Sequence, residues 1–68
     1  MTEAEEQSLR TVLAALIEEH RDLDVAIAAM AERGSRDQLQ LTRLKKRKLQ
    51  LKDQIARIED QLLPNIIA

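Results

Sequence analysis

His20 is the single histidine in this chain of 68 residues, and Glu19 and Asp24 stand within about one helical turn of it. An imidazole beside carboxylates could relay a proton or begin a metal site. Either role needs more than proximity, because a metal wants several convergent ligands and a reaction wants a cavity. The second chemical feature is the run Arg43-Leu44-Lys45-Lys46-Arg47-Lys48, whose cations could meet the phosphates of a nucleic acid or an anionic surface. No aromatic residue is present to stack on bases. The pI of about 5.8 is also far from the basic footprint of a nucleic-acid binder. Asp53, Glu59 and Asp60 show no paired-carboxylate pattern. There is no glycine-rich phosphate loop and no serine, cysteine or histidine constellation.

What these residues can do depends on the elements that carry them. In the second half of the chain Leu41, Leu44, Leu51, Ile55, Ile58 and Leu62 share one stripe with Lys48, at alternating steps of three and four. That alternation is a heptad seam on a helix, and a seam specifies a partner helix. The first half supplies it through Leu9, Leu13, Leu16, His20, Leu23, Ile27 and Met30, spaced by fours and threes. Matched antiparallel, the two rows pair with a constant index sum of 71, from Met30 with Leu41 through His20 with Leu51 to Leu9 with Leu62. On the flanks the same alignment sets Asp24 against Lys45 and Arg10 against Glu59.

Local signals place the ends of the helices. Thr2 followed by Glu5 has the spacing of a capping box, and acids at 3, 5 and 6 suit the positive end of the helix dipole. Gly34 sits where a left-handed residue closes a helix. Ser35 with Gln38 has the spacing of a second box. Pro64 stops the second helix at about Leu63. The expected architecture is all-α, a two-helix antiparallel coiled-coil hairpin. Helix one runs over about 3–33, the turn is 34–35, helix two runs over about 36–63, and 64–68 is an apolar tail.

Composition agrees with this plan and narrows the function. Helix formers dominate, with one glycine, one proline and no cysteine, so no disulfide or cysteine metal site can staple the fold. No apolar run approaches the roughly 20 residues that span a bilayer, and the acidic start is unlike a secretory signal. We expect a cytoplasmic protein. Residues 1–34 hold eight acids against three arginines, a balance of -5, while residues 35–68 hold eight bases against four acids, a balance of +4. Opposite signs favour the two helices as neighbours.

On the hairpin the chemical candidates disperse. His20 becomes a polar seam residue that helps fix register, and Lys48 lays its stem over Leu23 with the ammonium toward solvent or Glu19. Arg43 and Lys46 face outward, Lys45 faces Asp24 and Arg47 lies on the opposite flank, so the basic run is a solvated, paired face. No catalytic residue, cofactor or metal ligand is assigned.

A two-helix hairpin has a core one layer wide, and apolar residues are left outside it. Ile17, Leu49, Ala56 and Leu63 fall on one side, and Leu49 points about 100° from Lys48, off the seam. These four are the expected oligomer or partner face, with two hairpins assembling into a four-helix bundle.

The segment from Leu16 to Ile55 resembles the YdcH-like family of small bacterial proteins. It does so through Leu16, Glu18, His20, Leu23-Asp24, Ile27, Asp37 and the run LKKRKLQLKDQI from Leu44 to Ile55. Gln54 stands where the family's pattern often has Glu. The resemblance implies a helical hairpin without an assigned reaction, and it places His20 and the Lys48-Leu49 pair in the shared motif. The function expected is therefore a non-enzymatic, self-associating interaction or adaptor module. The alternative is a nucleic-acid accessory protein using Arg43, Lys46 and Arg47.

Overall fold

The computed structural model describes residues 1–34 and 36–62. These form two helices and, among the described residues, no strand: α1 over Glu3–Glu32 and α2 over Gln38–Leu62, packed against each other. The hairpin is 48 Å long, which matches roughly 45 Å for the 30 residues of α1 at 1.5 Å each.

The first helix opens as its sequence asks. Thr2 is extended at its N-cap, and its Oγ1 accepts the amide of Glu5 at 3.1 Å. The Glu5 carboxylate turns back to accept from the Thr2 hydroxyl at 3.0 Å, so the box closes side chain to side chain. At the other end Arg33 caps the helix and donates its amide to Ala29 O at 3.1 Å. Gly34 follows at φ +63°, with its amide donating to Ala31 O at 3.2 Å. A side chain in that left-handed region is strained, which is why glycine stands there.

The second helix opens later than expected. The Asp37 carboxylate accepts the Gln40 amide at 2.9 Å, and the Asp37 carbonyl accepts the Leu41 amide at 3.1 Å. Asp37 is thus the N-cap and Gln38 the first helical residue, two positions beyond the sequence expectation. A carboxylate at the positive end of a helix dipole gains charge as well as a hydrogen bond, which favours aspartate over serine. Ser35 itself, Leu63, the Pro64 stop and the apolar tail lie outside the described residues.

The core sits where the two seams meet. Every seam position of α1 is half-buried, from Leu9 to Met30. So is every seam position of α2 except Leu51, which is fully buried. Leu51 is the one buried side chain among the described residues. The two ion pairs that cross between the helices have index sums of 66 and 72, which bracket the seam's 71.

Candidate interaction surface

The sequence's chemical candidates can now be placed. His20 is half-buried in the seam, and its neighbour on the next turn is Asp24. Asp24 is taken by Lys48, whose Nζ lies 2.5 Å from Asp24 Oδ1. The hydrogen bond from that ammonium, and then its charge, hold the Asp24 carboxyl below its ordinary value of 3.8; His20 adds a weaker push the same way, against a small desolvation. Among the described residues no three acidic or histidine side chains converge as a metal site would require.

Glu19 is committed elsewhere. Its Oε2 accepts from Arg47 Nε at 2.9 Å and lies 2.8 Å from Nη2, a two-pronged pair across the helices. The basic run is therefore split, with Arg47 on one flank, Lys48 on the other, and Arg43 and Lys46 exposed on α2. Arg47 is spent on an internal carboxylate and does not join Arg43 and Lys46 as a free anion contact.

Two expected ion pairs are corrected by the geometry. Asp24 pairs with Lys48 and not with Lys45, and Arg10 pairs with Glu6 of its own helix at 2.8 Å and not with Glu59. Lys48 reaches across from α2 to Asp24 on α1, whereas Arg10 takes the carboxylate one turn before it on its own helix. Arg57 likewise takes Asp53, one turn before it, at 3.1 Å. Lys45, Lys52 and Glu59 consequently make no ion pair among the described residues.

Those unspent charges border the chain's exposed apolar side chains. Leu49 is 66% exposed, and Ile17, at 39%, is exposed on the same flank by its heptad position. Leu49 and Ile27 form the apolar floor of an open groove of about 340 Å³, walled by Lys45, Lys48 and Lys52. Ala56 is exposed one heptad beyond Leu49. Val12, Val25 and Leu39 are also exposed, at 47%, 64% and 63%. Sequence reasoning passed over these three; they lie on the other flank or the outer backs of the helices, apart from Leu49. The signal that could have found them is their position outside both seams.

No described helix is long and apolar enough to cross a membrane. The fold and this surface together define an antiparallel helical hairpin with one open, apolar and lysine-walled flank. The chain belongs to the family described as a protein of unknown function, DUF465, which includes the YdcH-like proteins; the match covers residues 13–59. It embraces both seams' central layers, the turn and the groove residues. No curated protein and no solved structure matches the chain.

Proposed function

We propose that the protein is a non-enzymatic, self-associating interaction module of the cytoplasm, two hairpins joining through the flank that carries Ile17, Leu49 and Ala56. The observation that carries this reading is how little the hairpin buries by itself. A compact monomer of 7.8 kDa exposes roughly 4,400 Å², whereas this chain exposes 5571 Å². The excess, about 1,200 Å², exceeds one partner's share of a standard interface, roughly 800 Å². Leu49 is the most exposed leucine among the described residues, and it stands in a groove and not on an isolated ridge. Leu63, assigned to the same face, lies outside the described residues.

The non-enzymatic reading rests on the seam. His20 is a half-buried member of an aliphatic row, and Asp24, one turn on, is already held by an ammonium. Absence of cysteine suits a reducing compartment. The test is Leu49→Glu, which puts a charge on the floor of the groove. Light scattering should show the mass fall from twice 7.8 kDa to 7.8 kDa. An unchanged mass would remove Leu49 from the interface.

A further inference from the structure

The open flank is unevenly charged along its length. Its turn-side half carries Arg21, Lys45 and Lys48 against Asp24 alone, Lys52 stands close to the middle, and toward the open end it carries Arg10 and Glu59. On α2 the exposed stripe is Lys45, Leu49, Lys52, Ala56 and Glu59, at steps of four, three, four and three. A second hairpin stacked on this flank at equal heights, turn over turn, would set one lysine-walled groove on another. Like charges brought together across an interface are strongly opposed. Turning the second copy end for end relieves the conflict at Lys45 and leaves only Lys52 beside its symmetry mate.

We infer that two copies pair through this flank end for end, with α2 running antiparallel to α2 of the second copy. Lys45 then lies level with Glu59 of the second copy, and Leu49 lies against the second copy's Ala56, a large side chain over a small one. Each contact occurs twice, and the symmetry axis passes beside Lys52. Three observations agree on this alignment. Lys45 and Glu59 make no ion pair among the described residues, so each is available to the other. Leu49 and Ala56 are both exposed on the intervening stripe. The midpoint of Gln38–Leu62 is residue 50, so an axis at Lys52 overlaps the two helices along nearly their whole length. The two Lys52 stems cover the apolar contact while their ammonium groups turn outward. This assignment rests on the self-association reading and adds the orientation of the second copy.

Charge reversal and cross-linking on the full chain test it. Lys45→Glu and Glu59→Lys should each weaken the dimer about tenfold or more in sedimentation equilibrium, and the two together in one chain should restore it, because both pairs are then reversed. Lys52→Cys should form a disulfide-linked dimer readily, since the chain has no other cysteine and the two positions meet at the axis. Arg43→Cys, on the outer back of α2, should not. Lys52→Gln should tighten the dimer, whereas an acidic partner or a nucleic acid seated in the groove would be weakened by it. A wild-type dimer in which Lys52→Cys stays unlinked and the double reversal stays weak would overturn the end-for-end pairing while leaving self-association standing. Restoration of Lys45→Glu by Asp24→Lys would point to stacking at equal heights and overturn it too. A wild-type chain that is monomeric throughout would remove both.

Discussion

The two flanks of this hairpin are built from similar residues and do different things. On one, Glu19 and Arg47 close the seam with a forked ion pair, and no exposed leucine stands beside them. On the other, Asp24 and Lys48 form a single-pronged pair, and Leu49 stands exposed beside Lys45 and Lys52, which make no ion pair among the described residues. The difference comes from which cation each carboxylate reaches. Arg47 presents a planar fork that satisfies Glu19 and finishes that flank. Lys48 takes Asp24 as a point charge, which leaves Lys45 and Lys52 without an ion pair among the described residues. A closed flank maintains the hairpin, and an open one offers it to something else.

The largest effect should separate the seam from the open flank. Leu51 and Leu49 lie two residues apart, one fully buried and the other 66% exposed. Leu51→Ala removes the centre of the core and should cost about 2–5 kcal/mol, seen as a lower urea midpoint in circular dichroism. Leu49→Ala should leave the fold in place and act through association, so its effect should shrink on dilution while that of Leu51→Ala persists. Equal effects at all concentrations would erase the distinction between the flanks.

A smaller effect concerns the closed flank. A double-mutant cycle on Glu19→Gln and Arg47→Gln should return a coupling of about 0.2–1 kcal/mol, since both groups are nearly half exposed. The coupling should decline as salt is raised. A coupling of zero would mean that the fork contributes geometry without stability.

The smallest effect is pH-dependent and belongs to the open flank. Asp24 has a folded-state pKa below its unfolded value, so its contribution is complete above about pH 5 and is lost as pH falls through the lowered value. Asp24→Asn should therefore be less stable than the parent chain at pH 7, and the two should converge as acid takes the pH below 3.8. A difference that stays constant across that window would detach Asp24 from Lys48.

These effects also mark how much was readable from the sequence. The seams were legible to the residue, because a row of leucines and isoleucines at steps of three and four has one way to face another such row. His20 and Lys48, set in those rows by their spacing, are both half-buried. The ion pairs were less legible. Lysine and arginine have long stems, each with several carboxylates in reach, and choosing Lys48 over Lys45 for Asp24 takes the actual tilt of the helices. The start of α2, expected at about 36, lies at Gln38 for a related reason: several residues around the turn carry side chains that can cap, and the Asp37 carboxylate that takes the Gln40 amide is picked out only once the turn has a shape. The groove was half legible, since Leu49 announced itself by leaving the seam, while its lysine walls appear only when their partners are known.

The central claim is that this hairpin is completed by a second copy of itself. The most direct measurement is the thermal midpoint of the wild-type chain, followed by circular dichroism over a hundredfold range of concentration. Folding coupled to association makes the midpoint rise with concentration, and that is the result expected here. A single cooperative melt at one fixed temperature throughout the range would show that the hairpin stands alone.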